Sequence, residues 1–505
     1  MECFPTQVDL NAPGVSVAPY WNRMICADRA ALGLRSDFRE HLALAVRECG
    51  FRGLRQHGIL NDDMYLWPDP DQPMNFQYLY SNYDYYQSLG VRPMVELSFL
   101  PRWLASNDKT CFSYCKCPAC PPKDGLAWRR LVKDTVQALV DRYGVAEVRS
   151  WNFEVWNEPN IPFWSGTQAE YFELYRSAAD AVKSVDASLR IGGPATANYT
   201  PGPDGEYHPC WVADFLSFCE RERLPVDFVS THPYPADFPF EDHTKTFNRV
   251  VRDRGATYHD LSLLRRMVRD SAFKNAAIHC DEWGSSPGNP DRTHDHVFSA
   301  TFHLENLLRC VGLVDSLARW DLSDIAEEGV PGRAEFHGGW GILTVHGLKK
   351  PCFHAYNFLN RCGGTLLVNE WEQGLAVFRR NAGAWQVLVY NHHPYANTEA
   401  SWDSPEGIEK MIGAGSARSY QVTLTGTPRR VRVRRSLVDR EHGWAERAWR
   451  EMGAPTWPRG SQLESLRQAQ EPAVTSEIVD AIDGRVTLTG TLADLGMLLI
   501  EIDEV

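Results

Sequence analysis

From about Trp21 to Arg361 the chain alternates short β-rich runs with longer amphipathic stretches, eight times over. The strand-like runs are Arg23–Ala27, Gly53–His57, Arg92–Leu97, Val148–Trp156, Leu189–Gly192, Val226–His232, Ala276–Glu282 and Val314–Trp320. Between them, apolar residues recur at helical spacing over Asp37–Cys49, Trp128–Tyr143, Ala169–Val185, Leu261–Ser271 and Ala300–Val311. Strands joined through helices run parallel, because each crossover returns the chain to the same end of the sheet. Eight such units close naturally into a (β/α)8 TIM barrel. An open doubly wound sheet is the alternative, but no glycine-rich phosphate loop follows the first strand.

Beyond about Gly363 the texture changes. "TLLVNE", "GLAVFRRN", "AWQVLVYN", "RSYQVTLTG", "RRVRVRRSLVD", "GRVTLTG" and "MLLIEI" are short alternating runs split by Gly, Asn or Asp. That pattern reads as an antiparallel β-sandwich. A Pro-bearing, partly helical excursion, "HGWAERAWREMGAPTWPRGSQLESLRQAQ", interrupts it. With 505 residues the chain is long for a single domain. The expected division is a catalytic α/β barrel over 15–361 and an appended β-sandwich over 362–505, joined by 1–14 as an added strand.

Composition excludes several partner classes. A net charge of −13 argues against nucleic acid and anionic membrane surfaces. No run approaches the roughly 18 apolar residues of a membrane span, and no basic start precedes an apolar segment. The 13 cysteines, an odd number without a visible export signal, read as reduced thiols of a cytoplasmic protein. The 17 tryptophans suit flat sugar rings, although they also pack cores.

In a barrel of this kind, chemistry gathers at the C-terminal tips of the strands. Strand four runs "WNFEVWNEPN", and a carboxylate ending such an apolar run is costly unless it is paired or protonated. Strand seven, "AAIHCDEWGSS", ends on Glu282. Glu158 and Glu282 therefore face each other across one barrel mouth, and paired carboxylates are the apparatus of glycoside hydrolysis. One must be a protonated acid and the other an ionised nucleophile, with pKa values pushed apart by environment. An apolar strand tip gives Glu158 the raised pKa of an acid. The Asn157 amide is placed to hydrogen-bond a sugar 2-hydroxyl. A solvated "NEP" turn is the bland alternative, weakened by the matching glutamate on strand seven.

These stretches resemble glycoside hydrolase family thirty-nine, the retaining β-xylosidases and α-L-iduronidases. The likeness runs from about Trp21 to the C-terminus. It rests on "CADRAALGLRSDFREHL", "LRQHGILNDDM", "WNFEVWNEPN", "STHPYPAD", "DEWGSS", "RWDLSDIAEEGVP", "FHGGWGILTVHGLKKP" and "EHGWAERAWREMGAP", the last as in the bacterial β-xylosidases. The resemblance implies that Glu158 is the acid/base and Glu282 the nucleophile. It also implies that His57, Asn157, His232, Tyr234, Trp320, Glu327 and Glu328 hold the non-reducing sugar, with Phe112 facing it. From the residues alone, His232 also fits a core histidine, Trp320 barrel packing, and Glu327 with Glu328 a solvated pair.

Two departures stand out. The loop after Glu282, "EWGSSPGNPDRTHD", lacks the aromatic the family usually carries there. The loop after strand three holds Cys111, Cys115, Cys117 and Cys120 where ordinary members have none. Free thiols, a local disulfide or a tetrahedral metal site all fit that spacing, the metal least.

The expectation is thus a cytoplasmic, retaining exo-glycosidase that needs no cofactor and removes xylose from short xylo-oligosaccharides or β-xylosides. Its partner is a small glycoside, with neither nucleic acid nor membrane, and the oligomeric state is open. Three rivals remain. One is the same chemistry on an α-L-arabinoside or β-glucoside. Another is an α-L-iduronidase, disfavoured because Pro233-Tyr234-Pro235 offers no cation for a uronate. The last is a non-catalytic carbohydrate-binding barrel.

Overall fold

The computed structural model describes residues 3–112, 115–202, 204–237, 250–328, 332–397 and 404–505. Eight parallel strands close a barrel: Ile25–Arg29, Gly53–His57, Arg92–Leu97, Asn152–Val155, Arg190–Ala197, Phe228–His232, Ala277–Trp283 and Ser316–Arg319. Strands two and three have the bounds expected from sequence. Strand four begins four residues late, because Val145–Val148 forms a short helix after Gly144 at φ 80°. Val148 and, beyond the helix, Trp151 are buried, the Trp151 ring against Tyr83 and Tyr143. Three barrel helices escaped the sequence reading: Gln77–Ser88, Val212–Glu222 and Pro351–Arg361.

Local chemistry explains several boundaries. Thr167 and Glu170 form a reciprocal capping box that starts the helix Gln168–Val185. Asp124 accepts from the backbone N–H groups of Leu126 and Ala127 to start Gly125–Tyr143. Strands five and six approach so closely at Gly192 that a Cβ there would lie 2.2 Å from the Phe228 carbonyl oxygen.

The C-terminal strands form a seven-stranded antiparallel sheet facing a three-stranded one. The larger sheet holds Val15–Ser16, Thr365–Glu370, Leu375–Asn381, Ala384–Tyr390, Met497–Glu504, Arg430–Val438 and Ala473–Asp480. The smaller pairs Cys3–Asp9 in parallel with Arg418–Thr425, which runs antiparallel to Arg485–Leu492. Alternation sorts the larger sheet's faces. Val387, Val433 and Ile500 pack against Val8, Leu424 and Leu488 of the smaller sheet. Phe378, Leu388, Tyr390 and Leu499 join the barrel's own core with Phe353 and Leu359.

The excursion forms helices Ala445–Glu451 and Ser461–Ala469 and returns to the barrel. Its Ala445, Trp449 and Leu466 bury against Phe336 and Leu348 of the long loop after strand eight. No described helix is long and apolar enough to cross a membrane.

Candidate active site

The strand-four tip is built on an unusual backbone. Trp156 and Glu158 have φ of 72° and 45°, the left-handed region that costs a bulky residue roughly 1–2 kcal/mol. Anchoring offsets this cost. The Glu158 N–H donates to the Ala195 carbonyl at 2.9 Å, and the Trp156 indole donates to the Phe163 carbonyl at 2.9 Å. The tight turn aims the Glu158 side chain into the mouth.

Strand seven solves a different problem. Adjacent residues of a regular strand point to opposite faces, yet Asp281 and Glu282 both approach Arg55 on strand two, at 3.2 and 3.6 Å. A register shift between Cys280 and Trp283 turns both inward.

Glu158 and Glu282 meet at His232. Its Nδ1 lies 2.7 Å from one Glu158 oxygen and 3.5 Å from a Glu282 oxygen. One oxygen from each carboxylate and the imidazole nitrogen all fall within 4.8 Å of one another. The Tyr234 hydroxyl donates to the other Glu282 oxygen at 2.8 Å. Burial pushes the Glu158 carboxyl up to about 7 and raises Glu282 as well, while it lowers His232 to about 4.

Beneath this pair lies a charged layer that sequence reasoning did not single out. Arg55, fully buried, contacts Glu96 at 2.8 Å and Glu154 at 2.7 Å. It also donates to the Asn157 side-chain Oδ1 at 2.9 Å. Asn157 Nδ2 then finds no hydrogen-bond partner among the described residues and stays available as a donor. Burial would raise Glu154, but the charge of Arg55 together with hydrogen bonds from Asp281 and Ser230 holds that carboxylate low. Burial, then the charge of Glu154, lift Asp281 well above the usual range. His57 accompanies Arg55 inward, two residues along the same strand, and its Nδ1 meets Glu96 at 2.8 Å. Burial disfavours its charge, yet Glu96 prevails and its pKa is raised. Each of these four strands carries a charged residue in its interior, Arg55, Glu96, Glu154 and Asp281, but nothing in the sequence says that the four meet.

The remaining candidates surround His57. Phe112 stacks on its ring at 5.6 Å and 21°, and Trp320 is tilted against it at 4.9 Å. Trp340, from the loop after strand eight, packs edge-on to Trp320 and donates to the Pro287 carbonyl in the loop after Glu282. Thus an aromatic from a different segment covers the loop that lacks one. Glu327 and Glu328 part company. Glu327 accepts from Arg29 Nε at 3.1 Å and from Arg35 at 3.2 Å, so its oxygens are occupied by cations. Glu328 is pushed up strongly by burial and then by the charges of Glu282, Asp28 and Glu158.

The four loop cysteines do not converge on one point. Among the described residues, Glu158, His232 and Glu282 make up the only group of three or more ligand atoms close enough to share a metal ion. Cys115 and Cys117 touch, Sγ to Sγ, at 3.1 Å, while Cys120 donates to the Asn107 carbonyl at 3.6 Å. Cys111 and Cys117 face each other across a two-residue hairpin ladder.

The sequence profile of glycosyl hydrolases family 39 matches residues 5–487. The chain is 35% identical over 498 residues to a beta-xylosidase of Geobacillus stearothermophilus, covering 96% of this chain and 93% of that one. It is 32% identical over 462 residues to a beta-xylosidase of Caldicellulosiruptor saccharolyticus, covering 90% and 88%. The crystal structure of a monomeric beta-xylosidase from Caulobacter crescentus superposes with a TM-score of 0.90 at 31% identity, covering 99% of both chains.

Proposed function

The chain belongs to glycosyl hydrolase family 39 and is a glycoside hydrolase, and from that premise we propose that it is a retaining exo-β-xylosidase. Glu282 attacks the anomeric carbon while Glu158 protonates the departing oxygen. Glu158 then takes a proton from water, which displaces Glu282 and frees the sugar with its original anomeric configuration. The observation that carries this reading is the closeness of the two carboxylates, one oxygen of each lying within 4.8 Å of the other and of a His232 ring nitrogen. Retaining enzymes hold these groups about 5–5.5 Å apart, whereas inverting ones leave about 6.5–9.5 Å for a water.

Surroundings support the assignment. Burial raises Glu158 to about 7, which suits an acid at neutral pH. Tyr234 and His232 orient Glu282. Asn157 Nδ2 is a free donor for a sugar hydroxyl. His57, with Phe112 and Trp320 packed around its ring, is assigned to the sugar subsite together with Glu327 and Glu328. The beta-xylosidase relatives favour xylose, and the acidic mouth disfavours a uronate.

Two measurements test the reading. NMR of the first product formed from a β-xyloside must show the β-anomer before mutarotation; the α-anomer would exclude retention. A panel of nitrophenyl pentosides and hexosides should give the highest kcat/KM for β-xyloside. Preference for an arabinoside, glucoside or iduronide would overturn the substrate choice but leave the chemistry intact.

A further inference from the structure

The chemistry proposed above uses none of the cysteines, yet two of them sit in contact beside the sugar place. Cys115 and Cys117 are separated by Lys116, whose φ of 49° folds the chain back between them. Residues two apart lie at most about 7 Å from Cα to Cα, and a left-handed residue between them shortens that span into the range a disulfide bridges. Their sulfurs are already 3.1 Å apart, against about 2.05 Å in a bond. Cys115 is partly exposed, while Cys111, Cys117 and Cys120 are buried.

We propose that Cys115 and Cys117 form a modification site, a thiol pair that a hydroperoxide converts reversibly into a disulfide within the hairpin that carries Phe112. The Cys115 thiol loses its proton to solvent, and the thiolate attacks a peroxide oxygen. The O–O bond breaks, a sulfenic acid forms, and the departing hydroxide takes up a proton as water. Cys117 then attacks the Cys115 sulfur, the S–S bond forms, the S–O bond breaks, and a second water leaves with the Cys117 proton. Two thiols are oxidised and one peroxide is reduced to two waters. Thiol reductants reverse the step.

The electrostatics agree with this order of attack. The contact with Cys117 lowers the Cys115 thiol against burial and the charge of Asp28, which raise it, whereas the same contact and burial raise Cys117, and Cys115 is the sulfur that solvent reaches. Cys111 is raised by burial and stays a spectator. The site is coupled to the mouth through two contacts. Phe112, one residue beyond the hairpin ladder, lies on the His57 ring. Asn61 Nδ2 donates to Cys117 Sγ at 2.9 Å while its Oδ1 accepts from the Phe99 N–H. Forming the bond redirects the Cys117 sulfur and tightens the hairpin under Phe112, so the effect falls on sugar binding.

The test is mild hydrogen peroxide treatment of the whole protein, followed by mass spectrometry without reduction. The expected mass loss is about 2 Da, the two hydrogens of a disulfide. Trypsin should then release 110–116 still joined to 117–123, with fragment ions placing the link at Cys115–Cys117. KM for the nitrophenyl β-xyloside should change about threefold or more with kcat within about twofold, and dithiothreitol should restore it. C115S and C117S should lose both responses, and C111S and C120S should keep them. A link through Cys111 or Cys120, or sulfinic acid in place of a link, overturns the pair. A disulfide that leaves KM unchanged overturns its coupling to the mouth. Only the KM reading rests on the proposed xylosidase activity, so a failure of that activity is seen separately from a failure of the thiol chemistry.

Discussion

Glu158 and Glu282 are identical side chains within a few ångströms, so their proposed division of labour must come from their surroundings. Glu282 faces the Arg55 guanidinium at 3.6 Å and the Tyr234 hydroxyl at 2.8 Å, both of which favour a carboxylate. Glu158 ends an apolar turn beside a histidine that burial keeps neutral at pH 7. Glu158→Ala should therefore slow xylobiose by about 10³-fold or more, but nitrophenyl xyloside far less, because a good leaving group needs little proton assistance. Glu282→Ala should abolish turnover of both. Equal losses on both substrates in the Glu158 variant would remove it from the acid role. The alkaline limb of kcat/KM should fall near pH 7, where Glu158 loses its proton. The same shift affects stability. Between the ordinary glutamate pKa and about 7, folded Glu158 keeps a proton that the unfolded chain has released. Stability from this group is thus full at low pH and declines as pH rises through that window, by up to about 3 kcal/mol. Glu158→Gln should flatten the decline and melt higher than the wild type at pH 8. A variant whose melting temperature tracks the wild type across pH would show that burial of this carboxyl is not costly.

Strands and loops differed in how legible they were. Gly53–His57 and Arg92–Leu97 could be bounded from sequence because glycines punctuate the chain beside them, Gly50 and Gly58 around the first and Gly90 before the second. Strand four could not, since Val148 and Trp151 are apolar yet bury against helices. The helix Gln77–Ser88 escaped notice because its tyrosines bury rings while keeping hydroxyls polar, which blurs the amphipathic period. In the mouth, residues at strand tips were readable by position alone. The Arg55–Glu96–Glu154–Asp281 layer was not, because its members come from four strands and acquire meaning only when the barrel closes. Glu327 differs from Glu328 in a way the sequence does not show, because Arg29 and Arg35 pair with it. The excursion helices matter at this scale too. Trp449 is tilted against Phe336 with ring centroids 5.6 Å apart and supports the loop that delivers Trp340 beside Trp320. Trp449→Ala should cost about 3–5 kcal/mol if the region unfolds with the rest, and should raise KM more than it lowers kcat. Loss of stability with unchanged KM would uncouple the excursion from the mouth.

For the molecule as a whole, the decisive feature is how the large sheet divides its faces. One face closes the sandwich, and the other, through Phe378, Leu388, Tyr390 and Leu499, completes the barrel's own core. Polar ties cross the same boundary. Asn369 Nδ2 donates to the Leu308 carbonyl at 2.8 Å, Thr301 meets His392 at 3.0 Å, and Arg361 donates to Ser436 Oγ at 3.1 Å while pairing with Glu501. Independent domains each keep a hydrophobic core of their own, which is why they can melt separately. Here the barrel's final helix, Pro351–Arg361, contributes Phe353 and Leu359 to the shared core, so separation would expose apolar surface on both sides. The whole chain should therefore unfold in one calorimetric transition, and Leu388→Asp, which sets a charge in the shared core, should lower the melting temperature of barrel and sandwich together. The readouts are barrel activity and near-ultraviolet dichroism followed through the same melt. Two resolved transitions, with catalysis surviving the first, would instead make the sandwich an independent attachment.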